Sequence, residues 1–166
     1  MIHDKQNQRI ALIAILLIGA FLRFYRLGAK SLWLDEAFTL WVANHSFADV
    51  WNWIARIDQH PPLFYLLLSG WLKLFGDSEI TIRALPALLG TLTLPLFYAT
   101  ARRIAPPTTA LLALLLLAIN PFHIDYAQDT RMYTLLTFAG CGAIYFMLRL
   151  VWDERVGNWR LGNWEL

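Results

Sequence analysis

The chain has 166 residues, 58% of them apolar and 16% charged, with eight Trp and ten Phe, a composition that excludes an ordinary soluble domain, whose apolar residues would be broken into short stripes by charged faces. Net charge is +2 and no basic cluster interleaves with aromatics in a polar setting, which argues against nucleic acid as a partner. The single cysteine, Cys141, has no second thiol to pair with and sits in an apolar block, where it reads as a small buried or lipid-facing residue.

The apolar residues fall into long, nearly uncharged blocks, the pattern of membrane helices. The first runs from Ile10 to Phe24 after Lys5 and Arg9; no small-residue cleavage site follows it. It reads as an uncleaved crossing whose outer end carries an aromatic and basic collar, Arg23 to Arg26.

Beyond it stand the adjacent acids Asp35 and Glu36, in Ser31-Leu32-Trp33-Leu34-Asp35-Glu36-Ala37. Such a pair beside a membrane suits proton removal from an acceptor hydroxyl, with Glu36 positioning or sharing the work. The other reading is structural: Asp35 caps a helix from Glu36 to Ala43, and Glu36 is a favourable first-turn acid. Ser46 and Asp49 resemble a capping box for a helix from Phe47 to Ile57, whose apolar spacing suits the membrane plane.

His60-Pro61-Pro62-Leu63 starts the next block, Pro62 to Phe75. The prolines fit a rigid helix start, and His60 is free to bind a phosphate or a metal, or to rest at the wet interface. At about 1.5 Å per residue this helix reaches roughly 20 Å, short of the ~30 Å hydrocarbon thickness, so it is expected to lie in the interface.

Arg83 opens the block Ala84 to Ala101, and Arg131 opens the block Met132 to Trp152. Cations at helix starts oppose the local dipole. A lipid phosphate is one partner for them; headgroups, Glu79 and Asp129 are the others. Between these blocks, a helix from Thr108 is expected to continue through Asn120-Pro121 as a kink toward Ile124. The stretch Asn120 to Tyr133 then gathers acid, amide, base and phenol, with Gln128, Arg131 and Asp125 on one helical face and Asp129 and Tyr133 on another. His123 and Asp125 suggest a metal pair but lack a third ligand at a telling spacing, so no metal site is assigned.

The tail, residues 153–166, holds Gly157-Asn158-Trp159-Arg160-Leu161 followed by Gly162-Asn163-Trp164-Glu165-Leu166. A five-residue period used twice builds no solenoid; it reads as translated repetitive DNA at the point where a reading frame is cut short.

Four crossings follow, at about residues 10–24, 84–101, 108–124 and 132–152, with an outer loop 25–83 that carries interfacial helices. Each side of the membrane then holds seven Lys or Arg, but the side of both termini packs them into fewer residues, and the other holds eight of the twelve acids. The expected fold is all-α and multi-pass, in the cell membrane, with both termini cytoplasmic.

Four segments in order resemble the membrane glycosyltransferases of the protein O-mannosyltransferase and lipid A aminoarabinose transferase superfamily. They are Trp33-Leu34-Asp35-Glu36-Ala37, His60-Pro61-Pro62-Leu63, Leu74-Phe75-Gly76 with Arg83-Ala84-Leu85-Pro86-Ala87-Leu88, and Tyr126-Ala127-Gln128-Asp129-Thr130-Arg131-Met132-Tyr133. The resemblance implies a partial GT-C-like fold and transfer of a sugar from a polyprenyl-phosphate carrier to a lipid, glycan or protein acceptor outside the cytoplasm. It matches Asp35 to the family's catalytic carboxylate, Arg83 to a family arginine, and Gln128, Asp129, Arg131 and Tyr133 to the second outer loop. No cofactor is implied with certainty; a divalent metal is compatible.

Two departures stand out. Some relatives carry an acid and a lysine where this chain has Gln59 and His60, and some an acid where it has Tyr133. Relatives also run several hundred residues, so the chain reads as an amino-terminal fragment, incomplete as an enzyme by itself. The rival readings are an inactive remnant or small non-enzymatic membrane subunit, and a channel or transporter. The last is disfavoured because the polar residues gather outside the bilayer and not along its midplane.

Overall fold

The computed structural model describes residues 2–57 and 61–152; the repeat-bearing tail and His60 lie outside them. The described residues form eight helices and no strand: α1 (Ile2–Phe24), α2 (Leu34–Ala43), α3 (Phe47–Ile57), α4 (Leu63–Phe75), α5 (Glu79–Ile104), α6 (Pro107–Ala118), α7 (Pro121–Ala127) and α8 (Tyr133–Trp152). The protein is an all-α, multi-pass membrane bundle.

Three helices are long and apolar enough to cross a bilayer, Lys5–Phe24, Glu79–Ile104 and Tyr133–Val151, and α6 with α7 makes a fourth span if the bent pair is taken as one. Their outer faces are apolar: Ile10, Ile13, Leu17 and Phe21 on α1 and Leu136, Ile144, Phe146 and Leu150 on α8 are all exposed. Water would penalise such a surface, whereas lipid does not.

α5 is the central element, packing against α1, α4, α6, α7 and α8. It begins earlier than the hydropathy suggests, because Ser78 caps it by accepting a hydrogen bond from the Thr81 N–H at 3.2 Å. Arg83 is therefore in the second turn and not at the helix start. α4 keeps its expected bounds, ending at Gly76 with φ of 84°, a left-handed value that glycine adopts without strain. Its stripe Phe64, Leu68 and Leu72 packs with Ala43, Ile82, Leu85 and Met132 into one core cluster. Tyr65 joins Val42 and Val50 in a second, which fastens α2 and α3 to α4.

Two helix ends differ from expectation. α2 starts at Leu34 with Trp33 in the capping position and no side-chain cap bond, so Asp35 is a first-turn acid favoured by the dipole and not a cap. α6 does not continue through Asn120-Pro121. It ends at Ala118, and α7 restarts at a 57° bend, because Pro121 withholds an N–H and Asn120 caps the new helix by accepting from His123 N at 3.1 Å. At Ser46 the expected capping box forms in part: the Asp49 N–H donates to Ser46 Oγ, whose hydroxyl donates to Asp49 Oδ2 at 2.6 Å.

Arg23 binds the carbonyls at the bend. Fully buried, it donates from Nη1 to Gly19 O and Ala118 O and from Nη2 to Leu117 O and His123 Nδ1, at 2.8 to 3.2 Å. The expected basic collar thus loses its first member to the interior, since a guanidinium can cap a broken helix where water cannot reach.

Candidate active site

Glu36 is 1% exposed and ion-paired with Arg83, Oε2 to Nη2 at 2.6 Å and Oε1 to Nε at 2.9 Å. Oε1 also accepts from both the N–H and the hydroxyl of Thr130, each at 3.1 Å. One carboxylate so joins three distant parts of the chain: α2, α5 and the turn before α8. Burial pushes the Glu36 carboxyl up, but the hydrogen bonds from Arg83 and Thr130 and the Arg83 charge outweigh it and hold it below its ordinary value. An acid held ionised by four hydrogen bonds is a poor proton acceptor.

Arg83, 3% exposed, completes the clamp by donating to the carbonyls of Leu27, Lys30 and Ser31. Together with the two bonds to Glu36, this occupies all five of its N–H groups. No donor is left over for a phosphate.

Asp35 has the opposite character. Successive helix residues point about 100° apart, so when Glu36 turns inward Asp35 projects from the surface, where it is exposed. Across from it Asp129 accepts a 3.4 Å hydrogen bond from Trp33 Nε1. Burial raises the Asp129 carboxyl, and the charges of Glu36 and Asp35 raise it further against the pull of Trp33 and Arg131.

Arg131 is 7% exposed and gives one bond, Nη1 to Thr39 Oγ1 at 3.2 Å, while its Nε is buried without a partner. Among the described residues it makes no ion pair, so it is a desolvated cation with donors to spare. Gln128 is spent elsewhere: its Nε2 donates to the carbonyls of Leu22, Arg23 and Tyr25, closing the carboxyl end of α1. The expected helical faces through Asn120 to Tyr133 do not form, because α7 stops at Ala127 and Gln128 to Met132 make turns. Tyr133 packs against Tyr126 with ring centres 4.6 Å apart and the planes tilted by 53°.

A cavity of about 430 Å³ opens beside the clamp, lined by Arg26, Lys30, Trp33, Glu36, Arg83, Asp125, Tyr126, Gln128 and Asp129 among others. At the level of sequence Arg26 reads only as part of the collar and Lys30 has no assigned role; their closeness in sequence just after the first helix is the signal that points to a shared site. Arg26 has a φ of 60°, a left-handed conformation that a side chain adopts at a cost. Lys30 reaches Asp125 at 3.6 Å with both side chains exposed, a pair weak enough to open. Asp125 so turns to Lys30 and His123 to Arg23, which separates the candidate metal pair. Among the described residues no three His, Cys, Asp or Glu stand together as metal ligands.

A family model described as dolichyl-phosphate-mannose-protein mannosyltransferase matches residues 59–162. The chain belongs to this mannosyltransferase family. The matched stretch contains Arg83, Thr130 and Arg131; Asp35 and Glu36 precede it, and Glu36 is tied to it by the clamp. A protein from Aquifex aeolicus (strain VF5), described as uncharacterized, is 34% identical over 134 residues, covering 76% of this chain and 27% of its own length. The chain thus spans about a quarter of the relative it matches. No solved structure matches this mannosyltransferase family member.

Proposed function

We propose that this segment carries the acceptor-activating part of an inverting glycosyltransferase that moves a sugar from a polyprenyl-phosphate carrier to an acceptor on the non-cytoplasmic side. The acceptor hydroxyl oxygen attacks the anomeric carbon, Asp35 takes the hydroxyl proton, and the carbon–oxygen bond to phosphate breaks with its electron pair leaving on the phosphate. Glu36 and Arg83 hold the two outer loops together. The departing phosphate is met by Arg26 and Lys30, which line the cavity, Lys30 once its exposed pair with Asp125 opens, and by Arg131 on the turn that follows Asp129. Asp129, whose carboxyl holds its proton more firmly than usual, sits where a sugar hydroxyl would be oriented.

The observation that supports this reading best is the Glu36-Arg83-Thr130 clamp, which lines one cavity through Glu36 and Arg83 and carries, next in sequence to Glu36 and Thr130, the exposed carboxylate of Asp35 and the buried, donor-rich Arg131, neither of which lines the cavity itself. The test is Asp35→Asn in a full-length protein carrying this segment, assayed with a polyprenyl-phosphate sugar. Loss of about 10²-fold or more in transfer rate is expected of a general base; an unchanged rate removes Asp35 from the chemistry.

A further inference from the structure

The tautomer of His123 decides what a second cavity can bind. Arg23 Nη2 lies 2.9 Å from His123 Nδ1, and a guanidinium only donates, so Nδ1 accepts and the ring proton is on Nε2. That Nε2 is buried and meets no acceptor among the described residues. Thr134, 2% exposed, has its Oγ1 equally unmatched. Both side chains stand over Gly90, where an added Cβ would come 3.4 Å from His123 Cε1 and 3.4 Å from Thr134 Cγ2. Both line a cavity of about 280 Å³ between the end of α6, α7 and the first turns of α8.

We propose that this cavity holds the ester region of a membrane phospholipid, with a carbonyl oxygen accepting from His123 Nε2 and the Thr134 hydroxyl. Two neutral donors call for a neutral oxygen and not for a phosphate, because both terminal nitrogens of the nearest cation, Arg23, are engaged with carbonyls and His123. The flank around the cavity is apolar: Leu116 is 68%, Ile119 47% and Leu136 70% exposed, a surface along which acyl chains can continue. The paired rings of Tyr126 and Tyr133 at its wall mark the headgroup level at which such rings settle, and ester carbonyls lie close beneath it. The volume falls below the roughly 300–1,000 Å³ of pockets that enclose a whole small ligand, so it suits part of a lipid and not a complete sugar. Phe122 and Tyr126 line both cavities and divide them; the lipid site therefore stands independently of sugar transfer.

The experiment is native mass spectrometry of the chain in mild detergent with added diacyl phosphatidylethanolamine or its diether analogue, which keeps the headgroup and tails but lacks both carbonyls. The diacyl lipid is expected to be retained about fivefold more, as loss of a buried hydrogen bond would give. Thr134→Val, which removes one of the two donors and leaves His123 Nε2, should reduce that preference; a preference unchanged in this variant takes the Thr134 hydroxyl out of the site. Thr137→Trp, which fills the mouth from an exposed position, should lower retention of both lipids. Equal retention of diester and diether by the wild-type chain, or retention indifferent to Thr137→Trp, overturns the proposal, as does a cavity that holds only water.

Discussion

Glu36 and Arg83 illustrate how much one buried pair decides. Removing a single partner leaves the other charge desolvated, so Glu36→Ala is expected to lower stability by about 3–5 kcal/mol, measurable by denaturant unfolding in detergent micelles. Because Glu36 is held below its ordinary value, its contribution is present above the usual carboxylate range and is lost as pH falls through the depressed value. Acid unfolding should therefore sharpen in the wild type and flatten in Glu36→Gln. Asp129 has the opposite sign: its carboxyl is raised, so the stability it contributes is full below the usual carboxylate range and declines as pH climbs through the elevated value. Asp129→Asn should remove that decline, and a pH profile identical to wild type would contradict the burial of this carboxyl. At Arg26 the left-handed backbone and the proposed phosphate contact pull apart. Arg26→Gly should gain up to about 1 kcal/mol of stability while weakening binding of the carrier lipid, and a variant that binds the carrier as well as wild type would leave Arg26 without a role in it.

At the scale of elements, the joint between α6 and α7 is held from two sides. Asn120 caps the restart, and Arg23 binds the carbonyls of Leu117 and Ala118 at the bend. The joint also needs a close approach to α5 at Gly90, where a Cβ would come 2.8 Å from the Cβ of Ala127. Gly90→Val is accordingly expected to push α7 off α5 and destabilise the bundle by about 1–3 kcal/mol, the usual range for overpacking, read by thermal unfolding in micelles. An unaltered melting profile would mean that α7 is looser than the packing indicates. Proline was readable as a disturbance in this helix, but a kink and a restart share the same local signal. What the local signal lacks is the buried arginine from α1, which holds the restart together with the Asn120 cap and is supplied by distant sequence.

For the whole molecule, the bundle places the clamp at one end of α5 and the Arg102-Arg103 turn at the other. If the charge asymmetry sets orientation as proposed, then in a Cys141→Ala background Lys30→Cys and Asp125→Cys should react with an impermeant thiol reagent from outside intact cells. Arg102→Cys should react only after permeabilisation. Labelling of position 125 from the cytosol with position 30 protected would dissolve the candidate site, because the cavity requires both on one aqueous face.

The membrane character, the all-α class, the short α4 and the general neighbourhood of the polar residues follow from the sequence alone, since hydropathy and helix length act locally and need no knowledge of the partner. The difference between Asp35 and Glu36, adjacent and chemically alike, does not. Only tertiary packing makes one the buried anchor of Arg83 and Thr130 and leaves the other free at the surface. The same holds for Arg83, whose donors are all committed, for Arg23, whose two terminal nitrogens are, and for Arg131, which gives a single bond to Thr39. The charge of an arginine is written in the sequence, but whether that charge is already spent depends on which acceptors the fold brings within 3 Å or so of it.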